Sequence, residues 1–326
     1  MKLPPFQHHA PTSLSKCAQL LRSCGEDAAL VAGGTELFVR MKLGLVKKTH
    51  LISLAAIRGI DTIAADREGG LILGAGTKLS ALAGSALVRR NVPALAEAAS
   101  LVGTPQIRNM ATLGGNILQE TRCFYYNRSA AWRRAVPACF KRGGALCHVV
   151  PKGKKCFAVY QGDLAPVLIA LGSTAIFFRD GKQVETPLER LFTGEGKAPF
   201  RKKEELLLTR VRVPVTGKRG YTAYRKYRLR NGMDFPLAGV AIMIDRRAGK
   251  IEALNICLTG VSSSPVVVPK ASELAQGKSL TAELVALIGD AAYAAAHPVG
   301  TVESTPSIRR SMVQFMTEEM LAAIQD

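Results

Sequence analysis

Two Gly-Gly pairs constrain the fold of this chain of 326 residues more than any other feature. The first, in residues 31–36 (VAGGTE), follows an apolar run typical of a strand and opens a predicted helix. The second, in residues 112–116 (TLGGN), has the same ingredients. Glycine lets backbone amides approach a pyrophosphate closely, and the amino end of a helix adds partial positive charge. One such turn is commonly structural, but two, each with a donor side chain beside the glycines, predict a ligand with two adjacent phosphates.

The common nucleotide-binding and catalytic fingerprints do not occur in the sequence. Residues 74–77 (GAGT) begin like a Rossmann motif, but Leu79 stands where the third glycine is required. There is no P-loop motif, no Ser-His-Asp arrangement and no HExxH motif, and the five histidines are scattered along the sequence. A redox cofactor therefore fits the sequence better than acid–base catalysis by side chains.

Composition indicates a folded protein with an acidic partner. There are 44 Lys and Arg against 25 Asp and Glu, a formal net charge of +19, which favours nucleic acid, an anionic surface, or a negatively charged protein or cofactor. No apolar run of about 18 residues predicts a membrane span, and the first residues lack a signal-peptide core, so we expect a cytoplasmic protein with no membrane partner. In that reducing compartment the seven cysteines are not expected to form disulfides. Cys17, Cys24 and Cys257 are expected to pack in apolar surroundings.

Apolar periodicity predicts an α+β protein, and a linker rich in Gly, Lys and Arg at residues 217–220 predicts a domain boundary. The predicted helices span residues 13–24, 36–43, 79–88, 92–101, 163–171, 272–276, 282–295 and 307–325. The predicted strands span residues 28–32, 51–54, 60–64, 71–74, 174–179, 206–213, 221–228, 239–245 and 251–259.

Four cysteines lie in one basic, aromatic-rich stretch that contains no Asp or Glu between residues 121 and 162: Cys123, Cys139, Cys147 and Cys156. Four thiolates in one loop are what an iron–sulfur cluster or a structural zinc ion requires. The closest pair is farther apart than in a zinc knuckle, and the bacterial ferredoxin spacing does not occur either. The spacing alone therefore leaves a cluster, a zinc ion and unligated cysteines as alternatives.

Nine basic residues in and beside this stretch have more than one interpretation. They can form a solvated face that offsets the negative charge of a thiolate-ligated cluster, or a docking surface for an acidic electron carrier. A basic and aromatic mixture also suggests nucleic-acid binding, but there is no DNA- or RNA-binding motif, so we expect no nucleic-acid partner. The nine residues are Arg122, Arg128, Arg133, Arg134, Lys141, Arg142, Lys152, Lys154 and Lys155.

Three motifs carry a resemblance to a known family: residues 32–37 (AGGTEL), 106–117 (QIRNMATLGGNI) and 162–166 (GDLAP). They resemble the FAD subunits or domains of the xanthine dehydrogenase family of molybdenum hydroxylases, which includes carbon monoxide dehydrogenase. The resemblance implies an α+β fold in which a two-part FAD-binding domain precedes a smaller α+β domain. The expected boundaries are 1–56 and 57–217 for the two FAD-binding parts, 218–326 for the last domain, and 122–161 for an insertion that carries the four cysteines.

The resemblance also implies which residues bind FAD. The pyrophosphate is expected on the two glycine turns, Asp163 near the flavin or its ribityl chain, and Leu207 and Lys226 beside the isoalloxazine ring, with Leu118 a further candidate. No catalytic residue is expected on this chain, because the family places substrate chemistry on another subunit. The residues matched to the turns are Ala32, Gly33, Gly34, Thr35, Glu36, Leu37, Thr112, Gly114, Gly115 and Asn116.

The cysteine-bearing insertion resembles that of one branch of the family, the 4-hydroxybenzoyl-CoA reductases, in which it binds a 4Fe–4S cluster. The four cysteines are then the cluster ligands. The implied partners are a large molybdopterin subunit and a small subunit with two 2Fe–2S clusters, in a dimer of heterotrimers, with a ferredoxin-like electron donor. The alternative is the FAD subunit of a related hydroxylase that oxidises an aromatic or N-heterocyclic substrate.

Overall fold

The computed structural model describes residues 2–67, 69–201, 207–214 and 220–324. The strands in these residues form three separate sheets of three, five and four strands. The α+β class is thereby confirmed. None of the helices within the described ranges is long and apolar enough to cross a membrane.

The amino-terminal sheet is parallel and carries the first glycine turn. Its strands are β1 (Gln7–His9), β2 (Ala28–Val31) and β3 (His50–Ser53), with β3 in the middle. Helix α1 (Leu14–Cys24) precedes β2, and helix α2 (Leu37–Lys42) follows the turn. Because β2 ends at Val31, the glycine turn begins directly at the edge of this sheet.

The middle sheet is antiparallel, and helices cover it. Its strands are β4 (Ile63–Ala65), β5 (Leu71–Gly74), β6 (Thr174–Arg179), β7 (Lys182–Pro187) and β8 (Leu208–Val213), in the order β4-β5-β8-β6-β7. The helices of this region are α3 (Leu79–Gly84), α4 (Ala86–Asn91), α5 (Pro93–Ser100), α6 (Pro105–Met110), α7 (Leu113–Ile117) and α9 (Leu164–Ala170), and α8 (Ala130–Arg134) lies in the cysteine-bearing insertion.

The carboxyl-terminal sheet is an antiparallel meander that packs against three helices. Its strands are β9 (Gly220–Tyr227), β10 (Ala238–Arg247), β11 (Lys250–Thr259) and β12 (Val266–Val267). Its helices are α10 (Pro269–Ala275), α11 (Ala282–Ala295) and α12 (Pro306–Ala322). The predicted boundary at 217/218 lies within 215–219, outside the described residues, and the domain limits stay predictions.

Helix α9 joins the middle region to the carboxyl-terminal sheet. All seven of its residues are buried, and it contacts α5 and α7 on one side and β10 and β11 on the other. One apolar core therefore extends from the middle sheet to Tyr224 of β9 and Cys257 of β11. This packing places the residue that precedes α9, Asp163, against β9.

The differences from the predicted elements have local causes. The predicted helix at 79–88 is two helices, because Ser85 has an extended backbone and its Oγ caps the second one. Strand β7 was not predicted, since its residues are mostly exposed and polar at a sheet edge. Strand β1 was not predicted either, because its three residues are too few to show an alternation of apolar and polar side chains.

Candidate functional site

The two glycine turns meet in space. Gly33 lies against the backbone of Met110 and Ala111, so a Cβ at this position would overlap the Met110 carbonyl group. Gly34 has a φ of +69°, and a Cβ there would overlap the ring of Phe38. Both positions therefore require glycine, the first for close approach between the turns and the second also for its left-handed backbone.

The second turn uses its amides within the protein. Gly114 N donates to the carbonyl of Ala75 at 2.8 Å, and Gly115 N donates to Thr112 Oγ1 at 3.2 Å. A Cβ on Gly114 would lie 3.0 Å from both the Cβ and the carbonyl oxygen of Ala75. Gly114 is thus held against the loop after β5, and Thr112 acts as the cap of helix α7.

The first turn keeps its amides free for a ligand. None of the described residues accepts a hydrogen bond from the backbone amides of Gly33, Gly34 or Thr35. On either side, Ala32 and Leu37 pack against the two amino-terminal apolar clusters. Successive amides in such a turn form an anion-binding concavity, so the first turn offers the donors that a pyrophosphate requires.

Asn116 connects the second turn to helix α9. Its Oδ1 accepts a hydrogen bond of 3.0 Å from the amide of Leu164, the first residue of that helix. Its carbonyl oxygen accepts from Gln119 Nε2 at 3.1 Å and from the buried hydroxyl of Tyr160 at 3.3 Å. Leu118 packs against the main core. The oxygens of Asn116 therefore position the segment around Asp163.

Asp163 forms a buried polar centre with two residues of β9. Lys226 Nζ lies 3.0 Å from Asp163 Oδ1, and the hydroxyl of Tyr224 donates to the same oxygen at 2.8 Å. Lys226 also donates to the carbonyl of Leu101 at 3.1 Å. Burial raises the pKa of Asp163, while the charge of Lys226 and the hydrogen bond from Tyr224 oppose that rise. The structure thus brings together two residues that the family resemblance assigned separately to FAD.

Tyr224 was not predicted as a site residue, although its position two residues before Lys226 could have indicated it. Residues two apart on a strand share one face of the sheet, so Tyr224 and Lys226 both point at Asp163. By contrast, Leu207 lies elsewhere. It is buried in the amino-terminal apolar cluster with Ile57 and Ile60.

The side chain of Glu36 contacts the residues that precede the cysteine-bearing insertion. Its two carboxylate oxygens each lie 3.3 Å from the backbone amide of Glu120, which precedes the cysteine-bearing insertion. Burial raises the pKa of Glu36, and the charges of Arg122 and Arg40 oppose that rise. The guanidinium of Arg122 stacks on Phe235, 3.8 Å from the ring centroid. Glu36 therefore ties the first glycine turn to the base of the insertion.

Lys141 continues this connection to the cysteines. Its Nζ donates to the Thr121 carbonyl at 2.9 Å and lies 3.5 Å from Glu120 Oε2, while Arg40 approaches the other oxygen of Glu120 at 3.7 Å. The side chains of Lys141 and Glu120 are only 5% and 9% exposed. The sequence signal for Glu120 is weak: it is the last carboxylate before the acid-free stretch.

The four cysteines of the insertion, although separated in sequence, line one cavity. Cys147 and Cys156 are buried, and Cys123 and Cys139 are partly buried. Aromatic and apolar side chains complete the lining, together with Lys141. The other lining residues are Tyr125, Tyr126, Phe140, Leu146, His148 and Ala158.

Burial favours the thiol form of Cys123 and Cys156. Burial raises the pKa of Cys156 to about 11, although the charge of Lys141 lowers it. Burial also raises the pKa of Cys123, against hydrogen bonds from the amides of Tyr125 and Tyr126. A bound metal centre deprotonates such thiols, and nearby N–H groups and Lys141 stabilise the resulting negative charge.

The sulfur atoms around this cavity are not gathered as closely as the ligands of one bound zinc ion. Tetrahedral zinc with Zn–S bonds of about 2.3 Å holds its sulfurs roughly 3.8 Å apart. No three of these four Sγ atoms lie within 4.8 Å of one another; within the described parts of the chain only His9, Cys24 and His50 meet that condition. These are the four residues that the family resemblance assigns to a 4Fe–4S cluster.

Most of the basic residues hold the insertion together instead of forming a solvated face. Arg133, only 7% exposed, donates to the carbonyls of Leu43 at 3.1 Å and Gly44 at 3.0 Å. Arg142 donates to the carbonyl of Arg133, and Arg128 stacks on Phe124. The exposed members of the set are Arg134, Lys152, Lys154 and Lys155.

Two family models together match nearly the whole chain. The FAD binding domain in molybdopterin dehydrogenase matches residues 4–216, and the CO dehydrogenase flavoprotein C-terminal domain matches residues 222–324. The first of these alone spans well over half of the sequence.

Similar proteins agree with these matches. The carbon monoxide dehydrogenase medium chain of Hydrogenophaga pseudoflava is 28% identical over 98% of this chain and 97% of its own length. The aldehyde oxidoreductase FAD-binding subunit of Escherichia coli is 30% identical over 89% of this chain and 91% of its own length. In a solved structure of carbon monoxide dehydrogenase from Hydrogenophaga pseudoflava, one chain superimposes with a TM-score of 0.81 at 26% identity, covering 99% of this chain and 98% of that one.

Proposed function

The chain belongs to the family of FAD-binding subunits of molybdenum hydroxylases, and on that premise we propose that it is the electron-transfer subunit of a molybdenum-containing 4-hydroxybenzoyl-CoA reductase. The observation that carries this proposal is the cavity lined by all four cysteines of the insertion. A flavin subunit needs no such cavity to bind FAD. We therefore assign Cys123, Cys139, Cys147 and Cys156 as the ligands of a 4Fe–4S cluster.

FAD is held, in this proposal, by the residues matched to the family motifs. The free amides of Gly33, Gly34 and Thr35 receive the pyrophosphate, and the second turn closes the site by packing against the first. The polar centre of Asp163, Tyr224 and Lys226 fixes charge and hydrogen bonds beside the flavin. When bound, FAD exchanges electrons one or two at a time.

The chain's own residues connect the two cofactor sites. Glu36 follows the first glycine turn and accepts from the amide of Glu120, and Glu120 contacts Lys141 in the lining of the cysteine cavity. These buried contacts connect the insertion to the turn assigned to the pyrophosphate.

The reaction proposed for the whole complex is reductive removal of the phenolic hydroxyl from 4-hydroxybenzoyl-CoA, which gives benzoyl-CoA and water. It consumes two electrons and two protons. The electrons come from a low-potential donor of the ferredoxin type, and the substrate chemistry lies on a large molybdopterin subunit reached through a small subunit with two 2Fe–2S clusters. Arg134, Lys152 and Lys154 of the insertion are exposed and offer positive charge to an acidic donor.

A second candidate is the FAD subunit of a hydroxylase that oxidises an aromatic or N-heterocyclic substrate. The names of the relatives favour it, since they include a xanthine dehydrogenase FAD-binding subunit of Escherichia coli O157:H7, at 25% identity over 97% of this chain. In such an enzyme electrons would leave the complex through this subunit. The direction of electron flow thus distinguishes the candidates.

An anaerobic assay of the purified complex tests this choice. With reduced viologen and 4-hydroxybenzoyl-CoA, we expect release of benzoyl-CoA, measured by chromatography. A complex with Cys139→Ala in this subunit should lose viologen-driven turnover, and one with Cys257→Ala, a cysteine outside the cavity, should keep it. Oxidation of a heterocycle without any release of benzoyl-CoA would favour the second candidate and contradict the first.

A further inference from the structure

Three metal-binding side chains converge at the amino-terminal sheet, far from the cysteine insertion in sequence. His9 ends β1, His50 begins the adjacent strand β3, and Cys24 ends helix α1. His9 Nε2 lies 3.0 Å from His50 Nδ1, and the two rings are stacked with their centroids 5.3 Å apart. The Cys24 Sγ and these nitrogens lie within 4.8 Å of one another, and all three residues are partly buried.

We propose that His9, Cys24 and His50 bind one zinc ion. Zinc takes imidazole nitrogen at about 2.0–2.1 Å and thiolate sulfur at about 2.3 Å. A tetrahedral site of these dimensions has nitrogens roughly 3.3 Å apart and nitrogen and sulfur about 3.6 Å apart. The observed nitrogen pair is already near that separation, and the sulfur, within 4.8 Å of both nitrogens, needs to move by no more than about 1.2 Å. Water fills the fourth position at this partly exposed site.

A hydrogen bond between His9 and His50 without a metal explains less of this arrangement of three side chains than a zinc site does. It accounts for the nitrogen pair, but it gives no role to the thiol beside them. The hydrogen-bond partner recorded for Cys24 Sγ within the described residues is Ser23 Oγ, at a long 3.9 Å. On zinc binding, the imidazole that donates the hydrogen bond would carry its proton on its other ring nitrogen, and the Cys24 thiol would release its proton to solvent, so both nitrogens and the sulfur become donors to the metal.

The site has a structural consequence, because it links two neighbouring strands and a helix of the amino-terminal region. A zinc ion there would cross-link β1, β3 and the end of α1, directly before residues 25–31 lead to the first glycine turn. The inference does not rest on the proposed function, since neither the flavin residues nor the cysteine cavity takes part. We expect zinc to raise the unfolding temperature of the amino-terminal region.

A comparison of zinc stoichiometries tests the site. Zinc is titrated into the full-length chain against a chromophoric chelator, for the wild type, His9→Ala, Cys24→Ser and His8→Ala. His8 is the exposed neighbour of His9 on the same strand and serves as the matched control. The cysteines of the insertion can also take up zinc. The test therefore compares the number of zinc ions bound per chain between each variant and the wild type.

The expected result is one zinc ion fewer in His9→Ala and in Cys24→Ser, with His8→Ala equal to the wild type. Added cobalt should give sulfur-to-metal absorption that Cys24→Ser reduces by the contribution of one site. Equal stoichiometry in all four proteins, with equal cobalt spectra, would overturn the proposal. Circular dichroism identifies a variant that fails to fold, and His50→Gln, which keeps size and polarity, then replaces it with the same expected loss.

Discussion

The glycine turns and the cysteine insertion are held in place by different forces. The turns belong to regular structure and are fixed by close backbone packing, as at Gly33 against Met110. The insertion, in contrast, contains one short helix and one short 3₁₀ helix, and cationic side chains fasten it to carbonyls and carboxylates. We infer from this difference that backbone packing stabilises the region around the glycine turns. The insertion, in contrast, depends on charged contacts and on the ligand of its cysteines.

The largest effect should follow from filling the contact between the turns. Gly33→Ala places a methyl group into the carbonyl of Met110, so the turns must separate. We expect a loss of about 3 kcal/mol in the free energy of unfolding and near-complete loss of FAD, measured by flavin absorbance after gel filtration.

The matched control is Gly84→Ala at the end of α3, where a Cβ meets no atom within 4 Å. It should retain FAD and stability. If Gly33→Ala bound flavin as the control does, the packing of the two turns would not be what forms the site.

A smaller effect is expected from removing the charge that fastens the insertion. Lys141→Met removes the hydrogen bond to Thr121 and leaves Glu120 paired with Arg40. We expect a loss of about 2 kcal/mol, below the usual cost of breaking a buried pair because Arg40 remains. Denaturant unfolding measures it, with the exposed Lys152→Met as a neutral control.

The same Lys141→Met protein should retain its FAD while proteases cut the insertion faster. Loss of flavin together with stability would instead mean that the insertion and the flavin half fold as one unit.

The smallest effect should come from the aromatic surface of the insertion. Arg128 lies 3.7 Å from the ring centroid of Phe124 and is partly exposed. Arg128→Ala should cost about 1 kcal/mol, and Arg128→Lys should recover part of it. Thermal unfolding would measure both; an effect larger than that of Lys141→Met would reverse the ranking of forces given above.

The sequence predicted where the glycine turns lie, but not which of their backbone amides are free to bind a ligand. Gly-Gly spacing after an apolar run is a local signal, and both turns lie where it placed them. Which amides stay free is not local: Gly114 N is used by Ala75, a neighbour supplied by the loop after β5. The same holds for Glu36, whose partner Glu120 is 84 residues away. Such contacts depend on tertiary packing that no short motif encodes.

The cysteines illustrate the opposite case. Their spacing alone could not choose between zinc, a cluster and no ligand, but their common cavity could be expected once the stretch was seen as one insertion. The histidines were scattered in sequence, and only the parallel pairing of β1 with β3 brings His9 to His50. Strand pairing over 41 residues leaves no trace in local composition.

The metal and flavin content of the anaerobically purified chain tests the central claim most directly. Iron, acid-labile sulfide, zinc and FAD are measured per chain in the wild type, in Cys139→Ala and in Cys257→Ala. We expect about four irons and one FAD in the wild type and in Cys257→Ala, and FAD without the cluster in Cys139→Ala. Zinc in place of iron in the wild type, or an intact cluster in Cys139→Ala, would contradict the assignment of the insertion as a 4Fe–4S site on a flavin subunit.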